Sequence, residues 1–280
     1  MWILLVGLYG LIKGVRDVIK KKSLEISSPI EVLFFYTLIS LILVTPGIKT
    51  ALTMDMHYMG FVVLKSFIIF VGWMCGYKAM SKMPVSLYGV MDMTRVIFAA
   101  GLGVMILGES ISLFKGIGLA LVLVGLLLVN MRKDASESQG TKLTVILMML
   151  VCCLCNASSE ILDKFLMPHM DSTQLQFWYM FYLVIFYLLY IIVTKTKLQW
   201  STLKKNYWIW ISSVLFVIGD KALFIACASP NSSVIAMTLI KQCSVLFTII
   251  GGKIVFSEKN IIYRMICACI IIAGIVIAVL

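Results

Sequence analysis

Apolar residues run along this chain in stretches of about twenty, each long enough to cross a hydrocarbon core of roughly 30 Å as a helix. Polar breaks separate the stretches and carry turn chemistry: Ser27-Ser28-Pro29, Pro46-Gly47, Pro84, the segment from Asp134 to Gly140, Pro168 and Ser229-Pro230-Asn231. The runs between them predict helices near 2–19, 31–48, 58–81, 84–107, 112–130, 143–166, 174–194, 207–228, 231–255 and 262–280. The expected fold class is an all-α integral membrane protein of ten transmembrane helices.

The longest polar break, residues 131–142, leaves five helices on each side and predicts two repeats, 1–130 and 143–280, joined by a cytoplasmic connector. A shift of 143 places Asp17 on Glu160, Lys21 on Lys164, Phe34 on Phe177, Tyr36 on Tyr179 and Lys78 on Lys221. Further along, a shift of 146 pairs Pro84 with Pro230 and Ser86 with Ser232, and a shift of 149 pairs Glu109 with Glu258 and Gly125 with Gly274. Two units with an odd number of helices, placed in series, sit in the membrane with opposite orientation. Such inverted repeats recur in secondary transporters, where substrate binds near the midplane and the halves rock to alternate access.

Composition agrees: 61% of residues are hydrophobic, 13% are charged, and the mean hydropathy is +1.04. A chain of 280 residues spending about twenty-five on each crossing has no room for a separate soluble catalytic domain. The apolar start, Met1 to Leu11, lacks a basic leader and reads as a retained helix. Basic residues crowd the loops after helices one, three, five, seven and nine: Lys20 to Lys22, Lys82, Arg132, Lys133, Lys142, Lys195, Lys197, Lys204, Lys205, Lys259 and Arg264. The opposite loops hold mainly Lys49, Lys115 and Lys164. That asymmetry makes the crowded side cytoplasmic and places both termini outside a plasma membrane. It also explains most of the formal charge of +11, so nucleic acid is not an expected partner.

Enzyme chemistry finds no footing in the motifs. Neither His-Glu-x-x-His nor Gly-x-Ser-x-Gly is present, and there is no nucleotide-binding Gly-rich Lys-Ser/Thr loop. The eight cysteines lie inside apolar runs and lack the spacing of a zinc site, so no metal and no cofactor is expected.

The end of the fourth helix and the fifth helix read Leu107-Gly108-Glu109-Ser110, then Lys115-Gly116-Ile117-Gly118 and Gly125, echoed by Phe256-Ser257-Glu258 and Gly274. With two sets of five helices, these residues resemble the drug/metabolite transporter superfamily, most closely its EamA-like members. The first helix carries Tyr9-Gly10 where that family often has Trp-Gly. The resemblance implies a polytopic plasma-membrane carrier or exporter. Glu109 and Glu258 are expected to cap the short junctions.

A charge at mid-bilayer costs on the order of 2.5–3.5 kcal/mol, so such residues face a cavity or a partner. Tyr88, Asp92 and Arg95 are spaced to share one helix face, either as an ion pair locking the helix or as a site in which Arg95 takes an anion. Lys241 sits at the equivalent depth without an acidic neighbour within four positions and ranks slightly above Arg95. Lys13 and Arg16 either line a cavity or pair with Asp17. Lys78 and Lys221 either join the site or reach out to the interface. Trp73, with Tyr77, Trp178, Tyr179 and Tyr182, is a candidate aromatic wall, and Glu160 and Asp17 are candidates for proton coupling. Counting the deeper charges gives an excess of three positive, which favours an anionic or zwitterionic metabolite. A flippase for a lipid-linked sugar or phosphate is the alternative, and a non-transport membrane subunit a third reading. The expected partners are a small-molecule substrate and membrane lipid, with a homodimer left open.

Overall fold

The computed structural model describes residues 2–108, 112–131, 143–258 and 261–279, which contain helices and no strands. Of the features read from the sequence, Glu109, Ser110, Lys259 and connector residues 132–142 lie outside the described residues. The first half forms α1 (Trp2–Ile26), α2 (Pro29–Val44), the short α3 (Ile48–Ala51), α4 (Met59–Ser81), α5 (Val85–Asp92), α6 (Arg95–Leu107) and α7 (Leu113–Met131). The second forms α8 (Leu143–Leu166), α9 (Ser172–Thr194), the short α10 (Thr202–Lys205), α11 (Trp208–Cys227), α12 (Val234–Lys241), α13 (Ser244–Phe256) and α14 (Ile261–Val279). Among the described residues, seven helical stretches are long and apolar enough to cross a membrane. The chain is a multi-pass membrane protein.

Two stretches expected as continuous helices, 84–107 and 231–255, are each broken in the middle. At the break between α5 and α6 the amides of Met93 and Thr94 reach the carbonyls of Val90 and Met91, three residues back. The break between α12 and α13 repeats this, with Gln242 on Leu239 and Cys243 on Ile240. One turn of tighter winding leaves the run apolar, so hydrophobic periodicity cannot reveal it, and such turns inside a helix often mark a hinge. The first helix also outruns its expected end at residue 19, because Lys13, Arg16, Asp17 and Lys20 are buried and α1 continues to Ile26.

Caps recur at matching places. Ser28 and Glu31 form a capping box at the start of α2, and Asp171 and Gln174 form another at the start of α9. Such boxes satisfy amides that a helix N-terminus otherwise leaves open. Past their C-termini, α6 ends on Gly108 at φ 65° and α13 on Ser257 at φ 52°.

The packing has the same doubling. Helix α1 lies against α11 and α13, while α8 lies against α4 and α6. Helix α2 packs on α9, α5 on α13, α6 on α12, and α7 along α14. Exchanging the two halves maps each of these contacts onto another or onto itself. Glycines bring backbones close at these seams: a Cβ on Gly14 of α1 would stand 2.5 Å from the Ser244 carbonyl oxygen of α13.

Helix α1 is inside out compared with a water-soluble helix. Its charges Lys13, Arg16, Asp17 and Lys20 are buried, while Leu4, Leu8 and Leu11 are exposed. In lipid this orientation is the favourable one, since exposed leucine meets hydrocarbon and the charges meet one another.

Candidate functional site

The polar faces of α1, α4, α5, α8, α9 and α11 converge on a cavity of about 70 Å³, reached at one side by Arg95 at the start of α6. Its lining includes Tyr9, Lys13, Arg16, Asp17 and Lys20 from α1, Lys65, Trp73 and Tyr77 from α4, and Tyr88 and Asp92 from α5. The second half contributes Asn156, Ser159, Glu160 and Asp163 from α8, Tyr179 from α9, and Phe216 and Asp220 from α11. A smaller cavity of about 10 Å³ lies next to it and is lined by Glu160, Asp163 and Lys241.

Most of these charges form one connected chain. Lys20 and Lys13 flank Asp17 at 3.4 and 3.3 Å, and Lys13 reaches across to Asp92 at 2.8 Å and to the Ser244 hydroxyl at 3.3 Å. Asp92 then holds Arg95 at 2.7 Å, and Arg95 lies 3.4 Å from Glu160. Glu160 accepts from Thr238 at 2.5 Å and pairs with Lys241 at 2.7 Å. The chain therefore runs from α1 through the broken helix α5/α6 to α8 and the end of α12, alternating in sign. Alternation is what low-dielectric burial requires, because removing one member leaves an uncompensated charge.

Lys241 is thus not the unneutralised cation that its sequence neighbours imply, since its carboxylate comes from α8, in sequence far outside a four-residue window. Asp92 and Arg95 form the ion pair of the first reading, and both residues also line the cavity. The two carboxylates singled out for proton coupling, Glu160 and Asp17, are each held by two cations.

Arg16 stands apart from this chain. It is 4% exposed, its Nε and Nη1 nitrogens have no hydrogen-bond partner, and no carboxylate of the described residues lies within 4 Å. Its guanidinium stacks on the Phe216 ring, 4.8 Å from the centroid, and lies 5.9 Å from that of Tyr9. Opposite, Lys65 lies 2.6 Å from Asp163 and donates to the Ser159 hydroxyl at 2.8 Å, while the Tyr179 hydroxyl donates to Asp220. The shift of 143 sets the stripe Lys13, Asp17 and Lys20 opposite Asn156, Glu160 and Asp163, a repeated polar stripe expected to line a cavity, and all six residues do line it. Lys65 and Asp220 enter the sequence reading only as counted charges, although the same shift puts Tyr77 on Asp220.

Other candidates lie away from the cavity. Lys78 has its ammonium 5.9 Å from the Tyr190 ring centroid, and Lys221 donates to Thr173 at 2.6 Å near Asp171. Lys164 is spent on the carbonyls that end α11. Of the aromatic residues, Trp73, Tyr77 and Tyr179 reach the cavity, whereas Trp178 donates to the Ala51 carbonyl and packs beside Tyr182. With Lys78, Lys164, Lys221 and Lys241 outside its wall and Lys20 within it, the cavity has five cations, Lys13, Arg16, Lys20, Lys65 and Arg95. Five carboxylates, Asp17, Asp92, Glu160, Asp163 and Asp220, balance them, so the expected excess of three is not present there.

Glu258 caps a different helix from its own. Its carboxylate accepts from the amides of Val85 at 2.7 Å and Ser86 at 3.2 Å, at the N-terminus of α5 in the other half, and pairs with Arg264 at 3.3 Å.

A solved crystal structure is similar over 98% of this chain and 96% of its own, with a TM-score of 0.70 and 11% identity, which shows a shared fold. No curated protein matches the sequence. The EamA-like transporter family matches residues 1–131, so the family whose Gly-Glu junction this sequence resembles is also the one its first half matches, a family of membrane transporters within reach of the drug/metabolite transporter superfamily.

Proposed function

We propose that the chain is a secondary transporter that moves a small polar metabolite bearing an anionic group, anionic or zwitterionic, by alternating access between two inverted five-helix repeats. The repeats are residues 1–130 and 143–280, and the ten crossings are α1, α2, α4, α5 with α6, α7, α8, α9, α11, α12 with α13, and α14. The exchange-symmetric packing of the halves supports this reading, as do the broken helices at matching positions.

The observation that carries the proposal is Arg16: a buried guanidinium facing a cavity without a carboxylate of its own. Burying an unpaired charge is costly, so a ligand anion that completes it binds with unusual benefit, and a guanidinium presents paired donors that match carboxylate or phosphate. Phe216, Trp73 and Tyr9 supply the apolar surface that most ligand sites have. The balanced remainder of the wall disfavours a ligand of high net charge. Rocking the halves about the breaks at Met93–Thr94 and Gln242–Cys243 would open the cavity to either side in turn.

The test is thermal stabilisation of the detergent-purified protein across amino acids, organic acids, sugar phosphates, nucleotide sugars and quaternary amines, in wild type and Arg16→Gln. Stabilisation by one anionic or zwitterionic class that the variant abolishes is expected. Stabilisation by cations alone, or by anions equally in both proteins, would overturn the assignment.

A further inference from the structure

Five carboxylates line the cavity, and they differ in what would happen if each took up a proton. Asp17 lies between Lys13 and Lys20, Asp92 between Lys13 and Arg95, and Glu160 between Arg95 and Lys241. Asp163 holds Lys65. Protonating any of these four breaks at least one buried ion pair and leaves the linked charges with one positive charge more than before.

Asp220 is the exception. It sits inside α11, 8% exposed, and its hydrogen-bond partner is the neutral hydroxyl of Tyr179. No cation lies within ion-pair distance of it among the described residues. A phenol hydroxyl donates to a carboxylate and, after rotation, accepts from a carboxylic acid, so this bond survives in both protonation states. The charged and titratable groups that face Asp220 are Tyr9, Arg16 and Lys20 from α1, Tyr36 from α2, Lys65 from α4, Asp163 from α8 and Tyr179 from α9.

The other half supplies a control within the molecule. Under the shift of 143, Tyr179 corresponds to Tyr36 and Asp220 to Tyr77. Tyr36 and Tyr77 are also buried and face each other with ring centroids 6.4 Å apart, but neither hydroxyl has a hydrogen-bond partner. An acid therefore stands on one side of an otherwise repeated tyrosine pair, in the wall of the cavity, where packing alone is satisfied by a tyrosine.

We propose that Asp220, hydrogen-bonded to Tyr179, is the proton-binding site of the cavity and couples proton uptake to occupancy by an anionic ligand. The carboxylate takes a proton from water entering on one side and gives it back to water on the other, with no other bond made or broken. The coupling to ligand rests on the transport reading above. An anion at Arg16 takes over the Coulombic role that the Asp220 carboxylate has toward Arg16, Lys20 and Lys65, so proton and anion favour each other's binding. Such coupling is reciprocal, and anion affinity rises as pH falls.

The experiment is infrared difference spectroscopy of the ligand-free, full-length protein titrated from about pH 9 to about pH 4, a range wide enough for a shifted carboxyl group. A protonated-carboxyl component that grows on acidification is expected in wild type and in Glu160→Gln and is expected to be missing in Asp220→Asn, whose remaining band comes from exposed Asp and Glu side chains that take up protons at about pH 4. Tyr179→Phe should keep the band and move its frequency, because the acid loses its hydrogen-bond partner. A carboxyl titration in Asp220→Asn indistinguishable from that of wild type, or an unmoved frequency in Tyr179→Phe, would overturn the proposal. Since no ligand is present, a silent thermal panel would sink the transport-site reading without touching this result, and a missing Asp220 component would do the reverse.

Discussion

Lys21 and Lys164, 143 residues apart, close the ends of two corresponding helices. Lys21 donates to the carbonyls of Met80 at 2.8 Å and Met83 at 2.9 Å where α4 ends. Lys164 donates to the Ser229 carbonyl at 3.0 Å and the Ser232 hydroxyl at 2.7 Å where α11 ends. Each is a cation set on carbonyls that a helix C-terminus leaves without partners, where the helix dipole also favours positive charge.

The first prediction follows from that role. Lys21→Met and Lys164→Met should each destabilise the protein by about 1–3 kcal/mol, the cost of leaving partly buried acceptors unpaired. The two lysines share no partner, so the double variant should lose the sum within about 0.5 kcal/mol. Denaturant titration in detergent micelles measures both quantities. Unchanged stability in either single variant would remove the capping role.

A second prediction contrasts two buried cations. Lys241→Met strips Glu160 of its partner at 2.7 Å, and the loss should be about 3 kcal/mol, at the low end for a broken buried pair because Arg95 and Thr238 remain. Arg16→Met removes a guanidinium without a carboxylate. The stacking on Phe216 that it loses, about 1–2 kcal/mol, is offset by relief of an unpaired buried charge. Its melting temperature should therefore stay at or above that of wild type while Lys241→Met melts lower. The reverse order would mean that Arg16 is structural and Lys241 is the free cation.

These two residues also mark how far the sequence was legible. Hydrophobic runs found the long helices because lipid selects apolar residues all round a helix, and the 143 shift paired Lys21 with Lys164 and Asp17 with Glu160. Pairing was hidden, because Lys241 meets a carboxylate from α8 and Lys13 one from α5, and neither meeting leaves a trace in local spacing. The capping boxes were readable, as Ser28-Pro29-Ile30-Glu31 and Asp171-Ser172-Thr173-Gln174 both have the right spacing, yet the runs alone placed those helix starts two residues late. The breaks after Asp92 and Lys241 were not, since no proline or glycine stands there.

Gly14 gives a third prediction. A Cβ there would lie 2.5 Å from the Ser244 carbonyl oxygen and 2.6 Å from the Cβ of Phe247, so α1 and α13 must part to accept it. Gly14→Ala should cost about 1–3 kcal/mol, the usual price of overpacking, and should weaken the neighbouring Lys13 contact to Ser244 at 3.3 Å. Gly7→Ala, on the same helix with open space beside it, is the control and should be neutral or slightly stabilising. Thermal melts of the two variants decide the matter, and equal melting points would show that the seam is looser than its distances.

The last prediction uses the repeat against itself. Gly108 and Ser257 occupy the same position after α6 and α13 under the shift of 149, and both backbones are left-handed, at φ 65° and 52°. A residue with a Cβ spends roughly 1–2 kcal/mol in that conformation, whereas glycine enters it freely and loses about 0.5–1 kcal/mol more chain entropy on folding. Ser257→Gly should therefore stabilise the protein by up to about 1 kcal/mol, and Gly108→Ala should destabilise it by a similar amount or more. The Glu258 carboxylate that follows holds the start of α5 through Val85 and Ser86, so a freer Ser257 position could also loosen the joint between the halves. Measuring denaturant stability alone would confound the two effects, and amide exchange at Val85 and Ser86 separates them. Higher stability with unchanged exchange there assigns the gain to backbone strain, while faster exchange assigns Ser257 a part in holding Glu258 in place.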